Sequence, residues 1–173
     1  QGHPYANKTP GVELSTGPLG LGLSAALGMG IGARLKKKDF YTYVLMGDGE
    51  IQEGIVWEAA MAGAKYGLDN VIAILDKNGV QLDGPVDVIM PLGNVRAKWE
   101  SFGWNTQVID GHNIEEIVAS IEQAKTMKGK PTIIIAQTVK GKGVSFMEGK
   151  HTWHGKPISK AEYEAALAEL EGG

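Results

Sequence analysis

The amino-acid sequence predicts an α/β fold with a doubly wound, mostly parallel sheet and helices on both faces. Four short runs are rich in β-branched and aromatic residues, as strands are. Three of these runs are apolar almost without interruption, which is typical of strands covered on both faces. Helical patterns alternate with the runs along the chain, and this alternation favours a parallel sheet with right-handed crossovers.

Capping signals support the last two helices of this pattern. Asn113 has Glu116 three residues later, and Ser159 has Glu162, which is the spacing of a capping box. Two final glycines then end the last helix. The predicted elements follow in this order: helix 19–37, strand 41–46, helix 55–66, strand 71–76, helix 95–102, strand 106–109, helix 114–127, strand 132–138 and helix 161–170.

Composition limits the kinds of protein this chain can be. The 173 residues, 43% of them apolar, fit one globular domain with a real core, so we predict a single domain over residues 1–173. The net charge of -3 offers no broad basic field, and nucleic acid is not an expected partner. The absence of cysteine removes disulfides and thiolate metal sites and suits the reducing cytoplasm.

No membrane segment is expected either. The longest apolar stretch, residues 19–33, is shorter than the ~20 residues that span a bilayer, and glycines interrupt it. The chain opens at Gln1 without a methionine, a basic region or an apolar leader. We therefore expect the domain to be truncated at its amino terminus.

A glycine-rich joint follows the first predicted strand. Gly47, Asp48 and Gly49 lie between the strand 41–46 and a helix that starts near Gly54. Ligands of doubly wound folds bind outside the carboxyl ends of the strands, where glycines let backbone N–H groups approach a phosphate. A lone Gly-Asp-Gly is also a common turn, so this joint by itself leaves both interpretations open.

A second polar joint follows the next strand, 30 residues further on. Asn78 and Gly79 end this joint, so Asn78 should emerge on the same sheet edge as Asp48. Mg²⁺ prefers oxygen ligands with one or two carboxylates, and it takes the rest from phosphates and water. Asp48, the side-chain oxygen of Asn78 and a backbone carbonyl near Val80 would supply the protein ligands. In isolation Asn-Gly would be an ordinary turn.

The two joints together resemble the signature of thiamine-diphosphate enzymes. Further runs are similar to the transketolase family in particular, and the resemblance covers nearly the whole chain. A Rossmann dinucleotide domain is excluded because no Gly-x-Gly-x-x-Gly follows a first strand. The runs that resemble transketolases are Gly2-His3-Pro4, Gly11-Val12-Glu13, Ser15-Thr16-Gly17-Pro18-Leu19-Gly20 and the segment 138–157.

The resemblance implies thiamine diphosphate and Mg²⁺ as cofactors. It makes Asp48, Asn78 and the Val80 carbonyl the metal ligands, and it has Gly49 donate its N–H to the diphosphate. Gly17 and Leu19 would line the aminopyrimidine side. The full set of cofactor-binding residues that it implies is Gly17, Leu19, Gly47, Asp48, Gly49, Glu50, Asn78 and His151.

His3 and His151 are the catalytic residues that the resemblance implies, since both would move protons near neutral pH. His154 is the alternative to His151, because separate-subunit enzymes often keep only a Trp-His-Gly like the one at 153–155. We favour His151 and expect His154 to support it. His112 is interpreted as a loop residue, and Glu53 as an acid at the subunit interface.

The implied activity is transfer of a two-carbon ketol unit between sugar phosphates. The family places the glutamate that activates the aminopyrimidine on a pyrimidine-binding domain, which is expected here as a separate partner. The chain alone is therefore predicted to be inactive, and self-association is expected. Dihydroxyacetone synthase, deoxyxylulose-phosphate synthase and a non-catalytic cofactor-binding subunit remain alternatives.

Overall fold

A computed structural model describes residues 3–172 of the chain. Gly2, which opens the Gly-His-Pro run, and Gly173 lie outside the described residues. The strands are β1 (Thr42–Gly47), β2 (Val71–Lys77), β3 (Val80–Gln81), β4 (Gly84–Pro85), β5 (Asn105–Asp110) and β6 (Thr132–Gln137). The helices are α1 (Leu21–Leu35), α2 (Gly54–Lys65), α3 (Val86–Ile89), α4 (Val95–Ser101), α5 (Ile114–Thr126) and α6 (Lys160–Glu171), with single 3₁₀ turns at Glu50–Gln52 and His151–Trp153.

The main sheet has the strand order β1-β2-β6-β5, and every neighbouring pair is parallel. The register places Gly47 beside Asp76, and Gln137 beside Asp110. The carboxyl ends of the strands therefore line up along one edge of the sheet. β3 and β4 form a small antiparallel hairpin directly after Asn78.

Helices cover both faces of this sheet, as predicted. The larger core cluster joins α1, α2 and α4 to one face and includes Leu23, Val56 and Trp99. On the other face Ala124 of α5 packs with Ile72 and Ile134 of the sheet. The predicted α/β fold with a parallel sheet is confirmed; β6 is buried at all but its last residue, and no residue of β2 is exposed.

The expectation that β1 is covered on both faces is wrong. Its burial alternates along the strand, and Tyr43 and Leu45 are 47% and 70% exposed. The reason is that α5, the helix on this face, packs on β5 and β6, which lie toward the opposite edge of the sheet from β1. A cavity of about 480 Å³ lies beside Leu45 under α5 and extends to Asp76 and Asn78.

The capping predictions are confirmed in full at Ser159 and in part at Asn113, because Glu116 accepts the N–H of Asp110 and completes no capping box. Ser159 and Glu162 form a reciprocal capping box at the start of α6, and Asn113 accepts backbone N–H bonds at the start of α5. α1 begins two residues later than predicted, because Gly20 adopts a left-handed conformation with φ of 81°. Among residues 3–172 no helix is long and apolar enough to cross a membrane.

Candidate functional site

The structure brings the turns after β1 and β2 into direct contact. The N–H of Gly79 donates to Oδ2 of Asp48 at 2.6 Å. The N–H of Asp48 donates in turn to the carbonyl of Asp76 at 3.2 Å. Because β1 and β2 are neighbouring parallel strands, their carboxyl ends meet here, and Asp48 and Asn78 occupy adjoining turns as the sequence predicts.

Asp48 is a buried carboxylate, only 2% exposed. Burial raises the pKa of Asp48 above its ordinary value, and the nearby Asp76 carboxylate acts in the same direction. Hydrogen bonds from the N–H groups of Gly79 and Gly49 oppose this rise. Two carboxylates this close create a local negative field, which favours a cation at the site.

Asn78 is held by hydrogen bonds on both ends of its amide. Its Nδ2 donates to Oδ2 of Asp76 at 2.9 Å, and its Oδ1 accepts the N–H of Val80 at 3.1 Å. The other oxygen of Asp76 accepts a hydrogen bond from the hydroxyl of Thr138. Sequence reasoning missed Asp76 and Thr138 as site residues. The available signal for Asp76 was a polar residue at the end of an apolar strand, two residues before Asn78.

Glu50 joins the two glycine-rich segments of the site. Its Oε1 accepts the N–H of Gly20 at 2.8 Å, and its Oε2 accepts the N–H of Gly47 at 3.1 Å. The loop that contains Gly17 and Leu19 is therefore tied to the turn that contains Asp48. Glu50 therefore links the two segments, and its predicted contact with the cofactor stays a prediction.

The glycines of these segments differ in what surrounds them. A Cβ at Gly49 would lie 2.9 Å from the Cβ of Gln81, so close packing requires glycine there. A Cβ at Gly47 would meet nothing within 4 Å, so the space beside this strand end is open. The imidazole of His3 lies against Gly17, where a Cβ would be 3.4 Å from Cδ2. Leu19 is exposed beside this pair.

The two candidate histidines of the carboxyl-terminal segment lie on one short turn. His151 begins the 3₁₀ turn and is half-buried, whereas His154 follows it and is exposed. The turn contacts β4, in the hairpin that follows Asn78. The choice of His151 over His154 stays a prediction. His112 is confirmed as a loop residue, and its Nε2 accepts the N–H of Val139 at 2.8 Å.

Glu53 lies at the start of α2, where it is exposed and makes no capping hydrogen bond. The base of its side chain lies close to Gly20, at which an added Cβ would be 3.2 Å from the Cβ of Glu53. The Glu53 carboxylate therefore stands on the surface beside the start of α1. Its predicted role at a subunit interface stays a prediction.

Comparison with known proteins gives matches over nearly the whole chain. Residues 1–171 match the family described as "Transketolase, thiamine diphosphate binding domain". The chain belongs to the transketolase family. A solved transketolase from Campylobacter jejuni superposes on 94% of this domain with a TM-score of 0.86 and 38% sequence identity, and the match covers 26% of that chain.

Two relatives of this transketolase domain are named as subunits of larger enzymes. One belongs to the 6-deoxy-6-sulfo-D-fructose transketolase of Clostridium sp. (strain MSTE9) and is 45% identical over 169 residues, which are 98% of this chain and 62% of the relative. The other belongs to the apulose-4-phosphate transketolase of Phocaeicola vulgatus and is 44% identical, over 98% of this chain and 60% of the relative. This chain thus spans about three fifths of the length of these relatives.

The transketolase domain offers donors that suit Mg²⁺ with a diphosphate. Within residues 3–172 no group of three or more His, Cys, Asp or Glu side chains is arranged to hold a metal ion. One carboxylate, one amide oxygen and one backbone carbonyl are few ligands, and Mg²⁺ completes such sets with phosphate oxygens and water. The negative field at Asp48 and the open space beside Gly47 fit a cation and an approaching ligand.

Proposed function

We propose that this chain is the thiamine-diphosphate-binding part of a transketolase, which transfers a two-carbon ketol unit from a ketose phosphate to an aldose phosphate. The observation that carries the proposal is the contact between the Asp48 and Asn78 turns. The family match supports it. The two relatives are named for a sulfonated sugar and a sugar phosphate, so sugars with an anionic group are the substrate class.

Asp48, Asn78 and the carbonyl of Val80 would hold Mg²⁺, and Gly49 would donate its N–H to the diphosphate. When bound, the cofactor supplies an electron sink for carbon–carbon cleavage. Glu50 holds the backbone at Gly20 and the backbone at Gly47 together, and so would keep both segments in place when the cofactor binds. His3, supported on Gly17, would move a proton on the substrate, and His151 would do so near the diphosphate.

A separate pyrimidine-binding subunit or domain would complete the active site. The names of the relatives as subunits support this proposal. Glu53 would face that interface, and the assembled enzyme would self-associate. We place the protein in the cytoplasm, where a chain without cysteine needs no oxidative folding.

Calorimetric titration of the chain with thiamine diphosphate tests the proposed cofactor site. We expect binding in Mg²⁺ that is lost in excess chelator, because Asp48, Asn78 and the carbonyl of Val80 would hold the cofactor only together with its metal ion. Asp48→Ala should weaken the binding by at least about tenfold, since it removes the proposed carboxylate ligand. Asp110→Asn is the matched control, because Asp110 ends β5 at the same sheet edge. Binding that is independent of Mg²⁺, or unchanged in Asp48→Ala, would refute the proposal.

A further inference from the structure

Asp76 is a carboxylate in the site to which the proposed function gives no role. It lies near the end of β2, beside Gly47 of β1. Each of its oxygens accepts a hydrogen bond from a different side chain. Oδ2 accepts from Nδ2 of Asn78 at 2.9 Å, and Oδ1 accepts from the hydroxyl of Thr138. The carboxylate therefore connects the turn after β2 to the end of β6.

These contacts leave the amide of Asn78 one favourable orientation. A carboxylate only accepts hydrogen bonds, so the amide nitrogen must face Asp76. A backbone N–H only donates, so the amide oxygen must face Val80, whose N–H is 3.1 Å from Oδ1. A flipped amide would set acceptor against acceptor at Asp76 and donor against donor at Val80. The oxygen of Asn78 thus points away from Asp76.

The Thr138 hydroxyl that binds Asp76 is itself held in place. A Cβ at Gly111 would overlap the methyl group of Thr138, so the two residues are in close contact. The next N–H, that of Val139, donates to Nε2 of His112 at 2.8 Å. The turn after β5 therefore anchors the end of β6, and this fixes the position of the hydroxyl relative to Asp76.

We propose that Asp76 is a positioning residue that orients Asn78, so that the amide oxygen and not the amide nitrogen is presented to the divalent cation. This inference rests on the proposed function, because it takes Asn78 as a ligand of the cation. It also explains why an amide suits position 78. A carboxylate there would leave Asp76 without its donor and would add a third negative charge beside Asp48.

The test compares a single substitution at Asp76 with a double variant in which the side chains at positions 76 and 78 are exchanged. In Asp76→Asn the neighbour of Asn78 can also donate, so the amide loses its single orientation. We expect Mn²⁺ affinity in the presence of thiamine diphosphate to fall by about tenfold, as for other residues that orient metal ligands. In the double variant, Asp76→Asn with Asn78→Asp, the amide and the carboxylate change places at constant charge. This variant should recover the affinity to within about twofold of the original chain, or exceed it.

These affinities are measured by titration, in which the electron paramagnetic resonance signal of free Mn²⁺ decreases as the ion binds. Thermal melting without ligand checks that each variant folds. Asp110→Asn controls for charge, because it removes one carboxylate from the same edge while an acceptor remains for the N–H of His112. The inference is overturned if Asp76→Asn binds Mn²⁺ as Asp110→Asn does, or if the double variant binds no better than Asp76→Asn.

Thr138→Val provides a second route that leaves the charge unchanged. It removes the hydroxyl that binds Asp76, and we expect a severalfold weaker affinity with thermal stability still sufficient for folding. If Asp76→Asn fails to fold, unchanged affinity in Thr138→Val overturns the inference. Failure of the proposed function would look different, since the original chain would then bind no Mn²⁺ with thiamine diphosphate, or Asp48→Ala would bind it normally.

Discussion

At the scale of single residues, carboxylates that accept backbone N–H groups organise the candidate site. Asp48 accepts from Gly49 and Gly79, and Glu50 accepts from Gly20 and Gly47. Hydrogen bonds to a charged acceptor are roughly twice as strong as neutral ones. The glycine-rich backbone at this edge has few side chains of its own to pack, so these two acids hold it in place.

Glu50→Ala should therefore loosen the two segments that it joins. It leaves the N–H groups of Gly20 and Gly47 without their acceptor, and we expect the free energy of unfolding to fall by about 1–3 kcal/mol. Urea denaturation measures this loss, and calorimetry should show weaker binding of thiamine diphosphate. Glu58→Ala is the control, because Glu58 is exposed on α2. Equal effects of the two substitutions would contradict the linking role of Glu50.

At the scale of elements, α1 shows which glycines close packing requires. A Cβ at Gly30 would lie 2.6 Å from Cγ2 of Val71, at the start of β2. At Gly28, which is exposed, a Cβ would meet nothing within 4 Å. α1 therefore approaches the sheet closely at Gly30 and is free of such contacts at Gly28. This close approach sets the distance between the second half of α1 and the start of β2.

Opposite effects are expected from the same substitution at these two positions. Gly30→Ala forces α1 away from β2 and should lower the free energy of unfolding by about 1–3 kcal/mol. Gly28→Ala should raise it by about 0.5–1 kcal/mol, because alanine loses less conformational entropy in a helix. Chemical denaturation of both variants provides the measurement. Shifts in the same direction would show that the contact with Val71 does not limit the packing of α1.

At the scale of the whole molecule, the candidate site lies on an open edge. The turns after β1 and β2 meet there, and the cavity of about 480 Å³ under α5 extends to Asp76 and Asn78. Glu53 is exposed beside the start of α1. The transketolase relatives named as subunits are longer than this chain. These features fit the proposal that a pyrimidine-binding subunit or domain completes the active site.

The chain alone, loaded with Mg²⁺ and thiamine diphosphate, should show no ketol transfer in a coupled assay. Addition of the proposed pyrimidine-binding subunit should restore the reaction. Glu53→Gln should lower the activity of the assembled enzyme without changing cofactor binding by the lone chain, because the Glu53 carboxylate makes no capping hydrogen bond. Full activity of the lone chain would refute the need for a partner.

The convergence of Asp48 and Asn78 was predictable because it depends on local signals. Two apolar strands are followed by polar, glycine-rich turns, and neighbouring parallel strands place such turns on one edge. The capping box of Ser159 and Glu162 was predictable for the same reason, since its partners are three residues apart. The family resemblance carried the roles of Gly17, Leu19 and the histidines, which no local pattern indicates.

Other features depend on contacts between distant parts of the chain. The bond from Thr138 to Asp76 joins residues 62 positions apart, and the bond from Gly20 to Glu50 joins residues 30 apart. No spacing rule predicts such pairs. The uncovered face of β1 was also mispredicted. The apolar sequence of a strand does not indicate whether α5 packs on that strand or on β5 and β6.

The diphosphate and its cation came from the family resemblance, whereas the order of strands, turns and glycines along the chain was enough to predict the fold class and the edge on which the Asp48 and Asn78 turns meet. Local hydrogen bonding and the alternation of apolar runs carry that information. The packing of α1 and α5 on the sheet, and the bonds that join Asp76 to Asn78 and Thr138, emerged only in three dimensions. They depend on contacts between strand ends and helices that are far apart in the sequence, and the spacing of residues along the chain does not predict such contacts.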